Sequence, residues 1–190
     1  LNTACFLGPL IIIIILNSIV YDDWRHVYFI YPAFIMIALY GLDKLLSFRK
    51  IKPVVWMMIL VQLALVLNFM LRSHPFHQVY FNELVSHKEE HLRKNFDYDY
   101  WGSSYKQAIE YIMEHDKRST VRIEAYWEPA AHNIQFLKEE DLVRVQPASL
   151  EQADYYLTNF RWHPQDYDFP HIYYEIKVQN STIIRVYKLR

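Results

Sequence analysis

Three long apolar runs crowd into the first 71 residues, and no other feature restricts the folding of this chain as much. They cover Ala4–Val20, Val27–Leu46 and Val54–Leu71. Each approaches the ~20 residues that a helix needs to cross a hydrocarbon core about 30 Å thick. Each is apolar all round, which excludes a surface helix with one wet face. Three such runs in succession favour membrane spans over buried core helices. The charges divide accordingly: residues 1–71 hold five Lys/Arg and three Asp/Glu, against fifteen and eighteen in residues 72–190. An apolar block is thus joined to an ordinary polar domain.

The short loop Ser47–Lys52 carries Arg49, Lys50 and Lys52, which assigns it to the cytoplasmic side. The loop Tyr21–His26 and everything after Leu71 then face outward. Trp24, Tyr28, Tyr31 and Trp56 suit interfacial positions, and Pro32 lies early enough in its span to cost little helical hydrogen bonding. The chain opens on Leu1 without a basic n-region, which argues against a signal peptide and for a start inside a longer protein. The single cysteine, Cys5, rules out an intrachain disulfide. With a formal charge of -1, neither part is basic enough to make nucleic acid a partner.

The expected organisation is a transmembrane helical region over residues 1–71, a membrane-to-domain junction over 72–102 and a small α/β extracytoplasmic domain over 103–190. In that domain Ser104 and Gln107 form a capping box. Tyr105, Ala108, Ile109, Ile112 and Met113 follow at helical spacing as far as His115. Alternation predicts a strand from Val121 to Ala125, then a helix over Pro129–Leu137 and a strand over Leu142–Val145. A short helix at Ser149–Ala153 and a strand at Asp154–Asn159 come next. The loop Phe160–Pro170 leads to a hairpin of His171–Val178 and Thr182–Leu189. This alternation predicts a mixed sheet, partly parallel and ending in an antiparallel pair. Asn180-Ser181-Thr182 fits the N-glycosylation pattern, but a tight turn explains Asn180 more simply.

Three clusters carry candidate chemistry. Tyr21–His26 reads either as a solvated hairpin or as a site where Arg25 and His26 hold an anionic head group, since the guanidinium fork suits phosphate. His87-Lys88-Glu89-Glu90-His91 has the H-x-x-E-H spacing of an inverted zinc-peptidase helix, while a solvated charged helix over Glu83–Lys94 is the plainer reading. Phe96–Gly102 is either an aromatic lid, with Asp99 bonding the free amides of the next helix, or a rim that contacts sugar. Aromatic faces stack on sugar rings and carboxylates bond hydroxyls, which is what gives the second reading its appeal. No glycine-rich turn supports nucleotide binding.

Three segments carry a family resemblance. Trp24-Arg25-His26-Val27-Tyr28-Phe29-Ile30-Tyr31-Pro32 resembles the outward loop and following helix of bacterial GT-C-type glycosyltransferases, the multi-span, protein-mannosyltransferase-like enzymes. His74-Pro75-Phe76-His77-Gln78-Val79-Tyr80-Phe81-Asn82 is similar to their H-P-Y-Q-x-V-Y-F-N exit from the last span. Asp99-Tyr100-Trp101-Gly102-Ser103-Ser104-Tyr105-Lys106-Gln107-Ala108 resembles their D-Y-W-G-x-S-Y-x-x-A segment. The resemblance implies the C-terminal part of a multi-pass enzyme of the bacterial inner membrane. Such an enzyme transfers sugar from a polyprenyl-phosphate donor to a protein, lipid or glycan acceptor on the outer face. Its catalytic acid would lie in an outward loop upstream of this chain, a position that Asp22 and Asp23 do not match. Arg25 and His26 would help hold the carrier phosphate, and Tyr80, Asn82, Asp99 and Trp101 would shape the wall above it. No cofactor is implied, and a need for a divalent cation stays open. The rival reading is a freestanding three-span protein with an extracytoplasmic binding or scaffolding domain.

Overall fold

A computed structural model describes residues 1–20, 26–125 and 128–190. The chain divides into two compact units, Leu1–Val66 and Leu67–Arg190, so the residues expected to form a junction belong to the second.

The first unit is helical. α1 (Asn2–Ile15) packs along α2 (Tyr31–Ser47), with the Phe6 and Phe34 rings 5.4 Å apart. A 3-10 turn, Tyr28–Ile30, leads into α2, where Pro32 occupies the opening turn. A short loop then starts α3 (Lys52–Arg72). Two stretches, Tyr28–Ser47 and Lys52–Arg72, are long and apolar enough to cross a membrane, and only 6% of either apolar window is buried within the chain. The first of the three expected spans is not of that length. Its helix covers 14 residues, about 21 Å at 1.5 Å per residue, and gives out at Asn17, whose φ of 47° lies in the left-handed region.

The second unit is built on a five-stranded mixed sheet in the order β2-β1-β3-β5-β4. β1 (Val121–Ala125) lies parallel to both β2 (Val145–Pro147) and β3 (Tyr155–Thr158). β5 (Ser181–Lys188) runs antiparallel to β3 and to β4 (Ile172–Val178). The partly parallel sheet with its closing hairpin matches the alternation of the sequence. Some boundaries do not. Leu142, expected to open the second strand, instead ends a single helical turn, α7 (Glu139–Leu142), and Val145 begins the strand. Ser149–Ala153 is a turn rather than a helix, closed by the Ala153 amide on the Ser149 carbonyl at 2.9 Å.

The two faces of the sheet are covered differently. On one, Val121 and Ile123 from β1, Leu157 from β3, and Ile184 and Val186 from β5 meet the apolar stripe of α5 (Ser104–His115) and Ala130 of α6 (Glu128–Ile134). Alternation along the strands turns Tyr156, Arg185 and Tyr187 to the other face, which the irregular loop 160–170 covers. Asp166 of that loop lies 3.0 Å from Arg93 Nη1 and 2.5 Å from Arg185 Nη1. Arg185 also meets Glu175 at 2.9 Å, and the Arg93 guanidinium stands 4.1 Å above the Phe160 ring. Both arginines are buried. Tyr156, Tyr167, Phe169 and Tyr187 pack as an aromatic patch beside them.

Residues before α5 are tied to the hairpin tip. Gln179 and Asn180 both have positive φ, 46° and 62°, the two-residue turn whose twist suits a hairpin. The Gln179 side chain bonds the Phe81 main chain twice, at 2.7 and 3.0 Å, and Asn180 Nδ2 donates to the His87 carbonyl at 3.1 Å. The Glu90 amide donates to the Asn180 carbonyl, and the Glu90 carboxylate accepts from the Thr182 amide and hydroxyl at 3.0 and 2.8 Å. Beneath this clasp Phe69, Phe76, Val79, Leu92, Tyr98, Val178 and Ile183 form a second apolar cluster.

Candidate functional site

The clasp corrects both readings of the His87–His91 run. Glu90 has left-handed φ and precedes α4 (His91–Asn95), a helix of five residues. His87 lies outside that helix, so the two histidines do not share a helical face, and Glu90 already serves the hairpin. The segment is not a solvated charged helix either, because Leu92 and Arg93 are buried. Among the described residues no group of three or more His, Cys, Asp and Glu is placed to hold a metal ion.

The arrangement with most potential for binding forms where β1 and β3 end. β2 lies on one flank of β1 and β3 on the other, with Ala125 opposite Leu157. Open α/β sheets bind ligands at such a switch point, outside the carboxyl ends of the strands. Here Asn159–Trp162 follows β3 and meets Asp99–Ser104, the segment entering α5. Asn159 Nδ2 donates to the Asp99 carbonyl at 2.9 Å, and Arg161 Nη1 donates to the Tyr100 carbonyl at 3.3 Å. Asn133 of α6 donates to the Gly102 carbonyl at 3.2 Å. Gly102 has φ +61°, and a Cβ there would stand 2.6 Å from Pro129 Cβ, so both conformation and space call for glycine.

Asp99 holds this segment in shape. Its carboxylate is 1% exposed and accepts from the Ser103 amide and hydroxyl at 3.2 and 3.1 Å, and from those of Ser104 at 3.1 and 2.5 Å. It therefore caps α5 from outside the helix, at the end where the macrodipole favours a negative charge. The expected capping box gives way to this arrangement, as neither Ser103 nor Ser104 supplies a side-chain cap. Of the two alternatives for Asp99, the bond to free helix amides is the one the geometry displays.

Trp101 stands out from this frame at 65% exposed, with Tyr100 edge-on to it at 5.0 Å. Beside them Trp162 is 55% exposed. The Arg161 guanidinium lies 3.8 Å from the Tyr100 ring centre and 4.8 Å from that of Trp162, with Asp97 3.8 Å from its Nε. The result is a ledge of aromatic faces with one fixed cation and one accessible carboxylate. Such a ledge can stack on a ring and hydrogen-bond its substituents, with Asp97 as the accepting group that Asp99 cannot be. Glu124, near the end of β1, has its carboxyl pushed up by burial.

Tyr80 and Asn82 belong to a different segment of the sheet unit from this ledge. The Tyr80 ring packs 4.8 Å from Phe69, and its hydroxyl reaches the Glu83 carboxylate only at 3.4 Å. Asn82 Oδ1 accepts from the Leu84 amide at 3.0 Å in a local turn. Both sit on the segment gripped by the hairpin. His26 is exposed in the helical unit, while Arg25 lies outside the described residues. Arg161 and Trp162 went unrecognised in the sequence. The signal available was their place directly after a strand that runs parallel to its neighbour.

Comparisons with protein-family models, with curated proteins and with solved structures return no match. The functional argument therefore rests on the residues and their geometry.

Proposed function

We propose that this chain is the C-terminal portion of an integral-membrane glycosyltransferase. It would move a sugar from a polyprenyl-phosphate carrier to a protein, lipid or glycan acceptor on the extracytoplasmic face. The observation that carries the proposal is the setting of Asp99–Gly102. This segment, which resembles a glycosyltransferase motif, is clamped at the carboxyl edge of the parallel strands and leaves Trp101 exposed beside Arg161 and Trp162. The long, externally apolar helices α2 and α3 support a bilayer setting, with α1 alongside α2 as the third apolar helix.

In this reading the ledge receives a sugar ring of the donor or acceptor, and Asp97 accepts from its hydroxyls. Arg25 and His26 hold the carrier phosphate, for which a guanidinium offers paired donors. The catalytic acid comes from outside this chain. The test is transfer of labelled sugar from a polyprenyl-phosphate donor by membranes expressing the reading frame that contains this chain. Arg25→Ala should weaken use of the donor, and Trp101→Ala should lower transfer roughly tenfold, a loss of about 1.4 kcal/mol. Unchanged transfer in both variants would overturn these roles.

A membrane-anchored binding or scaffolding module is the second reading, favoured by the self-contained core of the sheet unit. Ligand retention on the ledge without any turnover would select it.

A further inference from the structure

At the opposite end of the parallel strands lies a cavity of about 410 Å³, between the end of α5, the entry to β1, the start of β3 and the end of β5. Its size falls in the range of small-ligand pockets, roughly 300–1,000 Å³. Among the described residues that line it, Asp116 supplies the one side-chain carboxylate, and that carboxylate is already taken up. Arg118 donates to it from Nε at 3.0 and 3.1 Å and from Nη2 at 2.6 Å, and the Tyr155 hydroxyl adds a bond at 3.0 Å. Arg118 is neutralised in turn, its remaining arm reaching Asp154 at 3.0 Å.

Three cations are left over: Lys117, Lys188 and Arg190 all line the cavity. Among the described residues none of them is within 4 Å of a side-chain carboxylate in an ion pair. Lys188 Nζ stands 5.8 Å from the Tyr173 ring centre, and Arg190 donates to the Glu151 carbonyl. The carbonyl end of α5, which would otherwise lend partial negative charge, is covered by Arg144. That side chain donates to the carbonyls of Met113, Asp116 and Arg118. The Asp116 carboxylate and these helix-end carbonyls are therefore satisfied, and Lys117, Lys188 and Arg190 remain around an open cavity, Lys117 also bordering the adjoining groove of Glu114, Glu140 and Asp141.

We propose that this basin binds a phosphate group, with Lys117, Lys188 and Arg190 supplying the charge and the Tyr155 and Tyr173 rings forming its floor. Three unbalanced cations match the charge of a phosphate or diphosphate better than that of a lone carboxylate. The site lies away from the aromatic ledge and does not depend on the glycosyl-transfer reading. The phosphate can belong to a soluble compound or to a lipid headgroup, and two arms of one experiment separate these sources.

In the first arm the full chain, held in phosphatidylcholine nanodiscs, is titrated with pyrophosphate by calorimetry. In the second, its association with vesicles of phosphatidylcholine alone is compared with vesicles that also contain phosphatidylglycerol. Lys117→Gln/Lys188→Gln and Lys117→Glu/Lys188→Glu are each compared with Lys106→Gln/Lys177→Gln, a control that removes equal charge elsewhere. Near-ultraviolet dichroism checks that every variant is folded. The expected result is a Kd for pyrophosphate below about 1 mM, weakened at least roughly tenfold in the basin variants and little in the control. Loss confined to phosphatidylglycerol vesicles would assign the phosphate to a headgroup. Equal behaviour of basin and control variants in both arms, or no binding in either arm, would overturn the proposal.

Discussion

The two faces of the sheet reach similar burial by different physics. One is apolar side chains closed by α5, where Ile109, Ile112, Ile184 and Val186 are shut off from water. The other is arginine, carboxylate and tyrosine closed by a loop, with Arg93 and Arg185 buried around Asp166. A regular helix covers a surface by shape and apolar contact alone. An irregular loop presents polar groups that must find partners when buried, and the second face provides them as charge.

The comparison can be broken at several strengths. Ile184→Ala on the apolar face should cost most, about 4 kcal/mol in chemical denaturation, because it empties a closed core position. Arg93→Ala on the charged face should cost about 3 kcal/mol, since it removes the close cation of buried Glu90 and leaves Asp166 with Arg185 alone. A cost below that of an ordinary surface substitution would show that the charged face is only decoration.

Acid should separate the faces further. Hydrogen bonds from Arg93 hold the Asp166 carboxyl below the usual carboxylate range against the opposing effect of burial. Arg118 does the same for Asp116. Groups lowered on folding contribute stability that is complete above their unfolded values, near pH ~4, and lost as pH falls through the folded ones. Melting curves between neutral pH and pH ~3 should therefore show the Arg93→Ala deficit shrinking while the Ile184→Ala deficit persists. Trp101→Ala should have the smallest effect on stability, within about 0.5 kcal/mol, because its side chain is exposed. A larger loss would recast the ledge as part of the fold rather than a surface for binding.

This contrast also explains what the sequence disclosed. α5 was readable because Tyr105, Ala108, Ile109, Ile112 and Met113 repeat at helical spacing and all five are buried. The hairpin was readable from alternation and from Asn180 in the turn. Periodic burial leaves a periodic trace. The charged face leaves none, since Arg93 and Asp166 are 73 residues apart in the chain and nothing local marks them as partners. The same limit hid the cap on α5: Ser104 fits a local capping pattern, yet the acceptor that performs the task is Asp99, five residues earlier. In the ledge, Trp101 stood inside a recognisable segment, whereas Arg161 became visible only once β3 was placed beside β1. The H-x-x-E-H spacing carries meaning only on a helix, and here the helix begins too late to include His87.

The grip of Gln179 and Asn180 on the preceding segment has a consequence for the order in which the molecule can be completed. Phe81 and Gln179 are 98 positions apart, so a ribosome delivers the first long before the second. Until the hairpin emerges, Phe76, Leu92 and Tyr98 have no Val178 or Ile183 to cover them. The nascent chain must carry those side chains uncovered through most of the synthesis of the domain. That interval is when a chaperone would find its binding site, and when a stalled or shortened product would be most prone to aggregate.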